Sequence, residues 1–402
     1  MSTGSDAARR ARDPRLDFFR GLGMGIILVA HIPWNPWTNW IPARFGFSDA
    51  ADMFVFCSGM ASAIAFGRVF DEHGWWVGAL RILHRLWQVY WAHVCVVLVV
   101  LAVAIGLDQV LGVDHYVQEE LKLGPMLDEP GPHLVGLLTL RFVPNYFDIL
   151  PMYLIVLGMT PAVMALATRS RALVAAASIA LWAGAQAGIL GLTADAATGR
   201  PWFFNPFAWQ LLFFTGFAFA RGWIPAPKPN WALLAAALAT VILSAPLACQ
   251  SEFSCYAGFG AIPALGAAHD ALGPWISKTQ LGPLRYGHFL ATAYLAYVAV
   301  GEGGRRLTGA IPAALRIIGR QTLAVFLTGL VAAQLLGAML DVSNRSPFAV
   351  LVVNILGQVV LFGAASVVSA FKKPPWIRPN DPGRAVSLAR SPAAWAAGLP
   401  RP

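Results

Sequence analysis

Charge is what this chain is short of. Asp, Glu, Lys and Arg make up 12% of its 402 residues, and 57% are hydrophobic. A soluble domain carries about a quarter charged residues, so the deficit excludes a protein whose surface is mostly wet. Cysteine is scarce as well. Of the four, Cys57 and Cys95 fall inside apolar runs and read as packing residues. Cys249 and Cys255 flank a short polar turn, where a disulfide fits an oxidising compartment. No Cys or His spacing suits a metal ion, and none is expected. No cleavable leader is expected either. The first fifteen residues are polar and hold Arg9, Arg10, Arg12 and Arg15, and the apolar stretch that follows lacks a small-residue cleavage site. No internal repeat is apparent. The net charge of +9 suggests nucleic acid at first sight. The basic residues, however, lie in short clusters between apolar runs, the pattern that orients a chain against anionic lipid.

What is present is a series of apolar segments long enough to cross a hydrocarbon core. The expected fold is all-α, a polytopic membrane protein with about ten spans: Leu16 to Ile32, Ala50 to Gly67, Ala79 to Gly106, Ile149 to Ala167, Arg171 to Leu190, Phe207 to Ala220, Trp231 to Cys249, Leu284 to Val300, Ala313 to Leu340 and Phe348 to Phe371. Residues 1–371 form the transmembrane domain, and the Pro- and Arg-rich residues 372–402 a disordered cytoplasmic tail. A long acidic loop separates the third and fourth spans, with an interfacial helix near His133 to Phe142.

Placing both ends in the cytoplasm puts most Lys and Arg inside. Only Arg44, Lys122, Arg141, Arg200, Lys278, Arg285 and Arg345 remain outside. That asymmetry is the positive-inside rule, and with it goes a bacterial inner-membrane location. Trp34, Trp37 and Trp40 crowd the outer end of the first span, at the level where such rings prefer to sit.

Charged groups inside a bilayer are costly and face a cavity or a partner. On the first span, Arg20 and His31 are eleven residues apart. That is close to three turns, on one face, with about 16 Å of rise between them. Asp49 and Asp52 open the second span at the level of His31. Either can cap that helix. Either can also orient the ring of His31, whose other nitrogen then takes a proton from a hydroxyl, and Asp52 is preferred. Arg81 and Arg85 share a face one turn apart at the start of the third span. They read as positive-inside anchors or as a clamp for phosphates arriving from the cytoplasm. Tyr146 and Asp148 enter the fourth span, and Arg285 and His288 the eighth. All four suit caps and interfacial anchors, and equally an outer mouth that holds sugar hydroxyls.

These residues resemble a known family. The blocks Arg15-Leu16-Asp17-Phe18-Phe19-Arg20-Gly21, His31-Ile32-Pro33-Trp34-Asn35 and Phe45-Gly46-Phe47-Ser48-Asp49-Ala50-Ala51-Asp52 are similar to the OpgC family. Leu150-Pro151-Met152-Tyr153, the stretch from Asn205 to Phe213 and the stretch from Gly319 to Phe326 fit the same pattern. OpgC is related to the type 3 membrane acyltransferases, which have about ten helices and an Arg, ten residues, then a His on the first of them. Two departures stand out. Gln88 precedes Val89 and Tyr90 where the wider family often has a Pro before the Tyr, and Asp52 stands where an acidic residue, often Glu, is expected.

The resemblance implies an O-acyltransferase. It implies transfer of succinyl groups onto osmoregulated periplasmic glucans, with acyl-CoA (succinyl-CoA) as co-substrate and no permanently bound cofactor. On that basis the expected mechanism has Arg20, Arg81 and Arg85 near the donor's phosphates and His31 at the transfer step. Expected partners are acyl-CoA, the glucan and the bilayer, and no nucleic acid. A homodimer or a glucan-synthesis complex stays open, as does an acyl-enzyme on His31, Ser58 or Cys57. The rival reading is a secondary transporter for a sugar or lipid-linked cargo. A further one is an inactive scaffold of a glucan-synthesis complex.

Overall fold

The structure is a computed structural model and describes residues 13–195, 198–248 and 262–372. Cys249, Cys255 and the tail from residue 373 lie outside the described residues.

The first helix, α1 (Pro14–His31), starts at a Pro that follows Asp13, whose side chain accepts from the Arg15 N–H. That is the usual chemistry of a helix start. α2 (Ala50–Ser62) runs through a π-helical turn at Ala63–Gly67 into α3 (Arg68–Leu111), which bends at Gly74, a residue with φ of 81°. The polar stretch from Arg68 to His73, which lies between the second and third expected spans, is therefore helical. It contains no Pro, and helix continuity costs it little.

Two short helices, α4 (Gly124–Asp128) and α5 (Pro130–Leu138), fill the acidic loop. α5 matches the helix expected there. α6 (Ile149–Gly158), α7 (Thr160–Arg169) and α8 (Arg171–Gln186) follow. A two-stranded antiparallel ribbon, β1 (Thr193–Asp195) with β2 (Arg200–Pro201), leads into α9 (Pro206–Ala220). Then come α10 (Trp231–Ala248), α11 (Pro263–Ile276), α12 (Pro283–Val300), α13 (Ala310–Arg320), α14 (Thr322–Val342) and α15 (Pro347–Lys372).

Among the described residues, five helical runs are long and apolar enough to cross a membrane: Ala50–Leu111, Ile149–Arg169, Trp231–Ala248, Thr322–Val342 and Pro347–Lys372. The other expected spans appear as helices that are short, such as α8 and α9, or that carry charge, such as α1 with Arg15, Asp17 and Arg20. Two expected spans divide in two. That from Ile149 to Ala167 becomes α6 and α7, on either side of Met159. The run from Ala313 to Leu340 breaks at Gln321, where the backbone leaves helical geometry, so that α13 and α14 are separate. α13 packs antiparallel on α1, with Gly21 against the Leu315 carbonyl and Gly319 against that of Asp17. α14 instead runs parallel to α1, with Gly329 near Leu28 and Gly337 against Pro33.

α2 and α9 meet in the same close manner, Gly59 against the Phe213 carbonyl and Gly216 against that of Phe56. Small residues let main chains approach where lipid supplies no hydrophobic drive. A side chain at Gly59 would overlap a carbonyl oxygen that cannot move aside. Gly59→Leu is expected to cost about 3 kcal/mol or more. Size-exclusion chromatography of the detergent-solubilised variant checks this, the expected result being loss of the monodisperse peak.

Candidate active site

The helices α2, α6, α9 and α12 begin around one loop, Ser277–Gly282. Asp49 caps α2. Asp148 precedes α6, and its carboxylate accepts from the Phe203 N–H at 3.3 Å. Asn205 caps α9 and donates to Gln280 Oε1 at 2.8 Å, while its N–H donates to the Thr279 carbonyl at 3.1 Å. Trp209 Nε1 donates to the Lys278 carbonyl at 2.9 Å, and Trp182 Nε1 to that of Leu281 at 3.0 Å. Helix N-termini carry partial positive charge. Their assembly around one loop accounts for the three carboxylates gathered there.

Two of those carboxylates are held by cations. Lys278 Nζ bonds Asp49 Oδ2 at 2.6 Å. Arg285 reaches Asp49 at 3.0 Å, and Asp52 at 2.5 Å through Nη2 and 3.1 Å through Nε. Asp52 also accepts the Asp49 N–H at 2.8 Å, and Asp49 accepts the Ala51 N–H at 2.7 Å, which completes a capping box. Asp52 and Arg285 are buried, and a buried charge needs this full set of partners. Lys278 lies over the rings of Phe203 and Phe204, and Arg285 over Trp209. Beside them His288 Nδ1 takes the Ser48 N–H at 3.3 Å and meets the Ser48 hydroxyl at 2.8 Å. Its Nε2 faces Gly46, where a Cβ would collide with the ring.

His31 ends α1 with its ring 4.9 Å from that of Tyr146 and 6.3 Å from that of Phe326. Among the described residues no hydrogen bond reaches it. Asp49 and Asp52, expected to orient it, are committed to Lys278, Arg285 and the α2 N-terminus instead. The tyrosine is held from above. Its hydroxyl donates to Glu120 Oε1 at 2.8 Å, and Asn145 donates to the Glu120 and Leu121 carbonyls at 2.8 and 3.1 Å. Tyr146 has φ of 70°, a region that costs a bulky residue about 1–3 kcal/mol and clusters at functional sites.

At the other end of the stripe, Arg20 donates to the Thr322 hydroxyl at the start of α14, and Asp17 bonds Arg320 at 3.2 Å. Phe326, one turn beyond Thr322, stacks on Phe54 at 6.5 Å. Beside the imidazole lies a cavity of about 10 Å³ lined by Met24, Ile27, Leu28, Val325, Phe326 and Leu361. Arg81 is exposed on α3. Arg85 donates to Gln88 at 3.1 Å, and Gln88 meets His84 at 3.0 Å. They flank an apolar groove of about 680 Å³ lined by Leu83, His84, Trp87, Tyr90, Leu140 and Leu154.

The structure thus brings together His31, Asp49, Asp52, Tyr146, Asp148, Arg285 and His288, adds Lys278 and Glu120, and sets Arg81 and Arg85 on the surface of α3. Lys278 left one signal in the sequence. It is a cation in a segment assigned to the cation-poor side. Glu120 left none beyond its place in an acidic loop.

The chain matches the family model described as OpgC protein over residues 12–373. It belongs to the OpgC family. No curated protein and no solved structure matches it. Membership implies a role in glucan succinylation and an acyltransferase activity that uses an acyl donor. Among the described residues of this OpgC-family chain, no cluster of His, Cys, Asp and Glu is arranged to hold a metal ion.

Burial pushes Asp148 up to about 6 from its ordinary 3.8, opposed by the charge of Arg200 and the Phe203 N–H. The folded protein then binds this proton more tightly than the unfolded chain. The stability it adds is complete below pH 3.8 and is lost as pH rises through 6. A shift of that size corresponds to about 3 kcal/mol. Melting of the detergent-solubilised protein between pH 4 and 7 should show this decline, and Asp148→Asn should flatten it.

Proposed function

We propose that this protein is a multi-pass inner-membrane O-acyltransferase, with about ten spans and both ends in the cytoplasm, that moves a succinyl group from cytoplasmic succinyl-CoA to hydroxyls of periplasmic glucans. The observation that carries the reading is a histidine free of hydrogen bonds among the described residues, seated among buried charges and aromatic rings, in a chain of the OpgC family.

In the proposed reaction the donor's phosphates meet Arg20, with Arg81 and Arg85 as further cationic contacts. The pantetheine arm lies along the stripe toward His31, a distance of about 16 Å. Its approach to His31 would require the neighbouring Phe326 ring to move. The glucan approaches Tyr146, Asp148, Arg285 and His288. His31 takes the hydroxyl proton as the oxygen attacks the thioester carbon. The C–O bond forms, the C–S bond breaks, and the proton passes from His31 to the departing thiolate. Lys278 and the helix N-termini favour the negative charge that develops on the carbonyl oxygen. Asp49 and Asp52 act by holding Lys278 and Arg285, not by touching the imidazole.

Mass spectrometry of periplasmic glucans from cells with and without the protein tests the reading. Loss of a mass increment equal to a succinyl group on removal of the protein is expected. Identical glucan masses in both strains would reject glucan acylation.

A further inference from the structure

A catalytic imidazole needs its ring held at a fixed angle, and in this protein the obvious carboxylates do not hold it. Asp49 and Asp52 are spent on Lys278, Arg285 and the α2 N-terminus. Resting on the acyl-transfer reading above, we infer that Glu120 is a positioning residue that fixes the ring of His31 through Tyr146.

Three observations carry this. First, Tyr146 packs directly on His31, with ring centroids 4.9 Å apart and planes inclined at 57°. Of the two rings on His31, it is the nearer. Second, Tyr146 sits at a backbone angle that a tyrosine does not adopt unaided. Both its hydroxyl and the preceding Asn145 are tied to the 120–121 segment. Third, Glu120 is itself anchored to the body of the protein. It ends a π-helical turn, Tyr116–Glu120, whose first two N–H groups donate to the Asp108 carboxylate on α3 at 3.0 Å each. The fully buried Tyr116 donates its hydroxyl to Asp341 on α14. The clamp therefore runs from α3 and α14 through Glu120 to Tyr146, and ends on the imidazole.

Glu120 is buried and its side chain accepts from Tyr146. A carboxylate desolvated merely to fill space would be an expensive choice. As the acceptor that sets the tyrosine ring, it has a purpose that a hydrophobic residue could not meet. Reaction geometry is sensitive enough for this to matter, since a misplacement of about 1 Å costs roughly 100-fold in rate.

The test compares Glu120→Ala, Glu120→Gln, Tyr146→Phe and the Glu120→Ala/Tyr146→Phe double variant with the native protein in detergent or proteoliposomes. Transfer from succinyl-CoA to glucan is one readout. The rate at which diethyl pyrocarbonate modifies His31, read by peptide mass spectrometry, is the second and needs no activity. Glu120→Ala and Tyr146→Phe should each lower kcat by about 10- to 100-fold, with KM for the donor unchanged. The double variant should be no worse than either single one, because both remove the same link. Glu120→Gln keeps an acceptor oxygen and should stay near native. His31 should be modified several-fold faster in Glu120→Ala and Tyr146→Phe than in the native protein or Glu120→Gln.

A Glu120→Ala protein with native kcat and a native His31 modification rate would overturn the inference. So would equal loss in Glu120→Ala and Glu120→Gln, which marks a merely structural carboxylate. If the native protein transfers no acyl group, the functional reading falls, and the modification rates alone then decide whether the clamp exists.

Discussion

Cells carrying His31→Ala should make glucans with no acyl mass increment while the variant protein is inserted at the native level. The side chain ends α1 and makes ring contacts only, so its loss removes no hydrogen bond among the described residues and should leave the fold intact. In the proposed reaction, what disappears is the base. General-base assistance is worth about 10²- to 10⁴-fold, and a periplasmic hydroxyl near neutral pH is too weak a nucleophile to attack a thioester unaided. Glucan mass spectra, with immunoblots of the membrane fraction as control, measure the effect. A normally inserted variant that keeps full transfer would remove His31 from the mechanism.

The second large effect is on stability. Arg285→Met should destabilise the protein by about 3–5 kcal/mol. Arg285 is buried and supplies the counter-charge for both Asp49 and Asp52. Without it Asp52 keeps only the Asp49 N–H, and two carboxylates three residues apart face each other with Lys278 reaching just one. The penalty comes from stranding a buried charge, not from losing a favourable pair. Replacing both partners, Arg285→Met with Asp52→Leu, should therefore recover much of the loss. Thermal unfolding in detergent reads both. A double variant less stable than Arg285→Met alone would show that the α2 capping box, and not the buried charge, dominates.

Much of this architecture is readable from residue order. Most expected spans coincide with a helix within a few residues, because apolar length is a property of the local sequence; the third begins earlier, at Arg68, and the fourth and ninth are each two helices. Expectation fails where tertiary contact decides. Hydropathy runs on through Gln321, and the break between α13 and α14 goes with Gly319 seating on the Asp17 carbonyl 302 positions away in the chain. α11 falls between the seventh and eighth expected spans. Its sequence has Pro263, Pro274 and several Gly and Ala, and lacks the apolar length of a span.

The site shows the same division. The intrahelical spacing of Arg20 and His31, and the two carboxylates at the start of α2, are visible in the sequence. Their pairing is not. The Lys278 partner of Asp49 lies 229 residues away, and the Tyr146 partner of Glu120 lies across a loop with its own turns. A carboxylate at a helix start gives no sign of which distant cation will claim it. That is why Asp52 was expected on His31 and is found on Arg285.

The glycine contacts described for the helix pairs also bear on how the molecule can move. Where Gly59 and Gly216 bring α2 against α9, and Gly21 and Gly319 bring α1 against α13, carbonyl oxygens of one helix rest on the bare backbone of its neighbour. Surfaces that close neither slide nor part without losing contact along their whole length. Alternating access asks one bundle to rock against another, and any such rocking would have to carry α2 with α9, and α1 with α13, as single bodies. Acyl transfer asks for less. In the proposed transfer reaction, moving a phenylalanine ring and admitting a sugar from outside would leave every one of these seams closed.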